Sequence, residues 1–114
     1  MRSAGEDNLH LSALKSWRGD GVIACLTTRQ EERLALRLPF PVINLSGWQP
    51  PQQGGLPRVN ADHEQMGRLA AEHFMSIGLQ HFAYYGIQGP WYSRQREAGF
   101  QTRLNEAGNA CWIY

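Results

Sequence analysis

The sequence predicts an α/β protein built on a doubly wound parallel sheet, with helices on both faces of the sheet. The first observation is that four helix patterns alternate with four strand patterns along 114 residues. The second is that the strand segments are apolar without alternation, as in strands that helices cover on both faces. The third is that most connections are short, which suits right-handed helical crossovers between parallel strands.

The chain begins with a small, polar segment, residues 1–8, which is expected to form a flexible terminus. An amphipathic helix pattern follows, carried by Leu9, Leu11, Leu14 and Trp17. This helix is predicted to end near Gly19, where the chain turns. Residues 22–26 (VIACL) then form the first apolar strand segment.

The next helix and strand are separated by proline. Thr28 and Glu31 have the spacing of a capping box, which predicts a helix that runs to about Leu38. Residues 42–46 (VINLS) predict the second strand. Residues 47–57 are rich in Gly, Pro and Gln, and they form a loop of the length that is often functional or mobile.

A second N-cap signal precedes the helix whose apolar residues show the clearest helical spacing in the sequence. After a short extended piece at residues 58–61, Asp62 is predicted to cap a helix over residues 63–77, with Gln65 in the reciprocal position. An apolar stripe at helical spacing is expected to face the core: Met66, Leu69, Ala70, His73, Phe74 and Ile77. Gly78 is the expected C-cap.

The last third of the chain contains the turn where chemistry is expected. Residues 81–87 predict the third strand, residues 93–107 the last helix, and residues 110–114 the fourth strand. A doubly wound sheet places ligands just beyond the carboxyl ends of its strands. The turn after the third strand lies at such a position, and it leads into aromatic and cationic side chains at residues 91–96.

Composition fits one ordinary globular domain and excludes several classes of protein. Hydrophobic residues make up 42% and charged residues 18%, while the net charge is +1 and the arginines are scattered, so this segment is not expected to bind DNA itself. Cys25 and Cys111 are predicted to be reduced, buried thiols. There is no signal-peptide pattern and no apolar run long enough for a membrane helix, which makes the cytoplasm the expected location.

The patterns that catalysis, cofactors or metals would need are missing from the sequence. The glycines at Gly86 and Gly89 lack the spacing of a nucleotide-binding loop, and neither Ser46 nor Ser93 lies in a nucleophile elbow. The four histidines show no metal-ligand spacing with the cysteines. We therefore expect no catalytic residue, no cofactor, no metal and no enzyme activity; a small α/β enzyme would need a nucleophile or paired carboxylates at the strand ends.

The cluster at residues 91–96 has two interpretations that the residues alone leave open. An aromatic face beside an arginine suits a carbohydrate, because sugar C–H groups pack on the ring and ring hydroxyls accept from the guanidinium. The other interpretation makes Arg94 and Arg96 surface charges and Trp91 a packing residue.

Several motifs together resemble the sensor lobe of LacI/GalR-type, periplasmic-binding-protein-like regulators, over about residues 9–107. They are residues 19–23 (GDGVI), 41–43 (PVI), Val59 with Asp62, 71–74 (AEHF) before Gly78, and 93–100 (SRQREAGF). Residues 14–24 and 82–86 resemble most closely the xylose operon regulators, in which such a sensor is fused to an AraC-type DNA-binding domain.

The resemblance implies that residues 1–114 are a single partial domain, part of the amino-terminal lobe of a two-lobed sugar sensor. The expected function is part of the effector-binding lobe of a sugar-responsive regulator, with a xylose-like sugar as effector, a homodimer in the full-length protein, and DNA contacts only through a domain outside this chain. A fragment of a periplasmic-type sugar-binding protein of a transport system is the alternative, since it shares the fold.

The resemblance also implies the site residues. Arg96 matches the family's arginine that contacts effector hydroxyls, Tyr92 and Ser93 lie in the segment that lines the cleft, and Asp62 matches an acidic position near it. Trp91 is added on physical grounds as a stacking face. For Asp62, helix capping and ligand contact both remain open.

Overall fold

The computed structural model of the chain describes residues 11–114. After a short 3₁₀ helix, Ser12–Ser16, strands and α-helices alternate. They are β1 (Val22–Ala24), α1 (Arg29–Leu36), β2 (Val42–Asn44), α2 (His63–Ser76), β3 (Phe82–Tyr84), α3 (Trp91–Glu106) and β4 (Cys111–Ile113). The predicted α/β class is confirmed. The predictions for residues 1–8 and Leu9 lie outside the described residues.

The chain falls into two compact units, with the boundary after Asn60. Each unit contains one pair of parallel strands: β1 with β2 in the first unit, and β3 with β4 in the second. The expected extended piece near residue 58 is present as a single parallel bridge between Asn44 and Arg58. One partial domain over residues 1–114 stays a prediction.

The first unit has its core on one side of its strand pair. Leu26, Ala35 and Val42 belong to this core, whereas Ile23 in β1 is 72% exposed. Ile43, its register partner in β2, is exposed as well. Within the first unit alone, the core therefore covers one face of this strand pair, and burial of both faces stays a prediction.

A buried polar network joins the ends of β1 and β2 to α1. Asn44 is fully buried, and its side-chain oxygen accepts from the backbone amides of Leu26 and Ser46, each at 3.0 Å. Its amide group donates to the buried carboxylate of Glu32 at 3.2 Å. Because every polar group of Asn44 has a partner, the network can be buried without the penalty of unsatisfied groups.

The long loop at residues 47–57 is tied to α1 by two arginines. Arg58 pairs with Glu32 at 2.6 Å and also donates to the carbonyl of Gln49. Arg29 pairs with Glu32 at 3.1 Å and donates to the carbonyl of Pro50 at 3.0 Å. The Glu32 carboxylate thus holds both arginines, and the arginines hold the loop through its carbonyl groups.

Both predicted N-cap residues accept the expected backbone amide, whereas the reciprocal bond from the cap's own amide to the side chain of Glu31 or Gln65 stays a prediction. The Thr28 hydroxyl accepts from the backbone amide of Glu31 at 3.1 Å, and it donates to the Glu31 carboxylate at 2.9 Å. At the start of α2, the Asp62 carboxylate accepts from the backbone amide of Gln65 at 3.0 Å. Each cap satisfies an amide that has no partner within its own helix.

In the second unit, α2 and α3 pack closely through small residues. A Cβ added at Gly67 would lie 2.1 Å from the carbonyl oxygen of Arg96, and one added at Gly99 would lie 1.9 Å from that of Glu64. Ala71 on α2 is fully buried at the same interface. The two helix backbones therefore approach to a distance that only glycine permits at these positions.

The prediction that the apolar stripe of α2 faces the core is wrong. Leu69 is 53% exposed, and Met66, Phe74 and Ile77 are also exposed. The reason is that the buried face of α2 carries the small residues and His63, which allow close contact with α3. The apolar residues do have helical spacing, but the small residues determine which side of this helix is buried.

Cys25 and Cys111 are free thiols, as expected, but the prediction that both are buried is wrong: Cys25 is exposed and Cys111 is half-buried. None of the helices between residues 11 and 114 is long and apolar enough to cross a membrane.

Candidate ligand-binding site

Four of the five predicted site residues lie at the start of α3, directly after the turn that follows β3. Gly89 in this turn has a φ of 113°, a value that side-chain-bearing residues rarely adopt, and Pro90 precedes the first helical residue. The helix begins at Trp91, two residues earlier than the sequence predicts. Trp91, Tyr92, Ser93 and Arg96 are therefore held by regular backbone.

His63 lies at the centre of the cluster that these residues form. It is the first residue of α2 and is 8% exposed. Its ring meets that of Trp91 edge to face, with centroids 5.9 Å apart, and lies 5.8 Å from the ring of Tyr92. Sequence reasoning missed His63 as a site residue; the signal that pointed to it is its position directly after Asp62.

Arg96 is held between two of these rings. Its Nε donates to Nδ1 of His63 at 3.4 Å, and its Cζ lies 4.8 Å from the centroid of the Tyr92 ring. Among residues 11–114, no carboxylate forms an ion pair with Arg96. The terminal amino groups of the guanidinium are thus available as donors beside an aromatic face.

Burial and charge favour the neutral form of His63. Burial lowers the pKa of His63 below its ordinary value, the neighbouring Arg96 lowers it further, and Asp62 opposes both effects. Because Nδ1 accepts from Arg96, the ring proton lies on Nε2. Nε2 is buried and has no hydrogen-bond partner among the described residues.

Asp62 and Ser93 have partners that explain them structurally. Asp62 caps α2, as described above. Ser93 is buried, its carbonyl accepts from the Tyr84 hydroxyl at 3.1 Å, and the two hydroxyls lie 3.4 Å apart. The structure therefore brings Trp91, Tyr92 and Arg96 together around His63 and joins Ser93 to β3; ligand contact by any of the five predicted residues stays a prediction.

Arg96 also lines an open pocket of about 390 Å³ within the second unit. The remaining walls are almost entirely apolar or aromatic: Met66, Gly67, Ala70, Phe74, Ala83, Tyr84, Tyr85 and Phe100. A wall of this kind beside one arginine suits a ligand that has both a C–H face and hydrogen-bonding oxygens. Among the residues that the structure describes, no group of three or more His, Cys, Asp or Glu side chains could hold a metal ion.

Comparison with solved structures identifies the fold. A periplasmic binding protein/LacI transcriptional regulator from Alkaliphilus metalliredigens, complexed with D-xylulofuranose, superposes with a TM-score of 0.73 at 17% identity, covering 96% of this chain and 40% of that one. A periplasmic solute-binding protein of an ABC transporter from Actinobacillus succinogenes, with bound D-allose, gives 0.74 at 18% identity, covering 98% and 43%. The chain has the fold of part of a periplasmic-binding-protein-like domain.

Comparison of sequences gives a more particular likeness. The chain is similar to the xylose operon regulatory protein of Escherichia coli strain K12, with 26% identity over 101 residues that cover 84% of this chain. No protein-family model matches. The predicted resemblance to xylose operon regulators is confirmed, and the chain spans about a quarter, 26%, of the length of the curated relatives it matches.

Proposed function

We propose that this chain forms part of the sugar-binding site of a transcription regulator, with a pentose such as xylose as the effector. Arg96 donates hydrogen bonds to ring hydroxyls, and Tyr92 and Trp91 offer faces for sugar C–H groups. The single observation that supports this role is the Arg96 guanidinium, held against Tyr92 and His63 without a carboxylate partner among residues 11–114.

In the intact regulator, the effect of the sugar is a shift between conformations. The sugar binds one arrangement of the sensor better than the other, so its binding energy biases the orientation of DNA-binding domains outside this chain. Such a regulator acts in the cytoplasm as a homodimer, and its sensor performs no catalysis. The similarity to the Escherichia coli xylose operon regulatory protein supports this proposal.

A substrate-binding protein of a sugar transport system is the second candidate. It is supported by the superposition on the allose-bound protein from Actinobacillus succinogenes, which matches about as well as the regulator. The coding sequence on both sides separates the two candidates. A region encoding an AraC-type DNA-binding domain supports the regulator, and an export signal supports the transport protein.

The proposed site is tested by sugar-induced thermal stabilisation of the protein. A ligand at 100 times its dissociation constant should add about 2.7 kcal/mol to the free energy of unfolding. Arg96→Ala removes a charge-assisted donor worth about 1.5–3 kcal/mol, so the affinity should fall roughly tenfold to 150-fold.

Arg94→Ala is the matched control, because Arg94 is an exposed arginine on the same helix. It should leave the sugar-induced shift unchanged. If the Arg96 and Arg94 variants bind xylose equally well, Arg96 is not the anchor of the site.

A further inference from the structure

We propose that His63 is a positioning residue for Arg96: its neutral imidazole accepts the Nε–H and thereby directs the terminal amino groups of the guanidinium towards the ligand. This inference rests on the proposed function, and it adds a residue from a different helix to the site. In this proposal His63 does not touch the ligand itself and affects ligand binding only by orienting Arg96.

The geometry fixes Arg96 from two sides. The Nε–H bond to His63, at 3.4 Å, holds the edge of the guanidinium nearest its stem, and Tyr92 lies against its face with a ring-to-Cζ distance of 4.8 Å. An arginine that is ordered before binding loses less conformational entropy when the ligand arrives. The two contacts therefore prepare Arg96 for binding.

His63 is itself held in place. It follows the capping residue Asp62 at the first position of α2, and its ring packs edge to face on Trp91. Its Nε2 is buried without a hydrogen-bond partner among the described residues. An apolar side chain would fill this space without the free-energy cost of a buried, unsatisfied N–H donor. The presence of histidine therefore fits a role for the other ring nitrogen, Nδ1, as a hydrogen-bond acceptor.

Protonation of His63 should disrupt this arrangement. A proton on Nδ1 removes the acceptor and places an imidazolium beside the Arg96 guanidinium, the charged group that faces His63 from α3. The neighbouring Asp62 carboxylate favours the protonated form, but its effect on the pKa of His63 is smaller than that of burial and of Arg96. The arrangement is intact at neutral pH, because burial and Arg96 lower the pKa of His63.

The contact is tested without any ligand by NMR of the ¹⁵N-labelled chain at neutral pH. We expect His63 in the Nε2-protonated tautomer and a slowly exchanging Nε–H signal for Arg96. His63→Leu removes the acceptor and should speed that exchange, whereas His63→Gln offers a side-chain oxygen and should restore part of the protection. His73→Leu, at an exposed histidine on the same helix, should change nothing.

An Nδ1-protonated His63 in the wild-type protein overturns the proposal, even where His63→Leu fails to fold. So does an Arg96 Nε–H signal that His63→Leu leaves unchanged.

Xylose binding then tests the positioning role. Losing the preorganisation of one side chain should weaken binding roughly two- to tenfold in His63→Leu. Wild-type affinity should also fall in acid, while that of His63→Gln stays flat. Equal affinities of wild type and His63→Leu overturn the positioning role. An intact protein that contains this chain and has the predicted tautomer, but binds no sugar, refutes the proposed function instead.

Discussion

Replacing Gly67 by alanine should push α3 away from α2 and disturb the candidate site at the same time. Gly67 lies one turn after His63, and its added Cβ would lie 2.1 Å from the carbonyl oxygen of Arg96 and 2.6 Å from the amide nitrogen of Phe100. Both are backbone atoms, so no change of rotamer relieves the overlap.

The expected loss of stability is the difference between two effects. Overpacking a tight contact costs about 1–3 kcal/mol, and this overlap with backbone belongs at the upper end of that range. Alanine regains about 1 kcal/mol over glycine through helix propensity. The net loss at Gly67→Ala should therefore be about 1–2 kcal/mol in the free energy of unfolding.

Urea unfolding of the wild type and the variant measures this loss. Ala98→Gly, at an exposed position of α3, serves as the control because it changes helix propensity alone. The Arg96 Nε–H signal should also exchange faster in Gly67→Ala, since the 3.4 Å contact with His63 lengthens as the helices part. A Gly67→Ala protein as stable as the wild type, or more stable, would refute the close-packing argument.

Three further predictions concern the buried ion pair, the cap of α2 and pH. Arg58→Met leaves the Glu32 carboxylate buried without its closest partner and should lower the free energy of unfolding in urea by about 3–5 kcal/mol. Arg68→Met, in an exposed ion pair, should shift the urea midpoint little, and equal shifts in the two variants would contradict the importance of burial. Asp62→Ala should cost about 1 kcal/mol, whereas Asp62→Asn should keep the cap and the stability, so equal losses in the two variants would exclude capping as the cause. Because the folded protein lowers the pKa of His63, the unfolded chain binds the proton more readily, and neutral His63 favours the folded state. This contribution to the free energy of unfolding is intact above the ordinary pKa of 6.5 and is lost as the pH falls below it. If wild type and His63→Gln show the same dependence of stability on pH, His63 is not the group responsible.

Local signals in the sequence predicted the secondary structure well. The caps at Thr28 and Asp62 depend on a side chain and a backbone amide three residues further on, so the sequence alone is enough to recognise them. The strands at residues 22–26 and 42–46 are confirmed with shorter bounds, Val22–Ala24 and Val42–Asn44.

Packing between helices could not be predicted in the same way. Hydrophobic spacing favours Leu69 and Phe74 as core residues, but Gly67 and Ala71 form the buried face because they let α3 approach. His63 was missed because its contact with Arg96 joins residues 33 positions apart, and the one local signal was its position directly after Asp62. The anchoring of the loop at residues 47–57 through Arg58 and Glu32 is likewise a long-range contact.

Sugar binding at Arg96 can be measured by titrating the ¹⁵N-labelled chain with D-xylose into the high millimolar range. We expect chemical-shift changes centred on residues 62–63 and 91–96, with an affinity that falls at least about tenfold in Arg96→Ala and is unchanged in Arg94→Ala. Shift changes confined to other parts of the chain, or an affinity that Arg96→Ala leaves unchanged, would contradict sugar binding at Arg96.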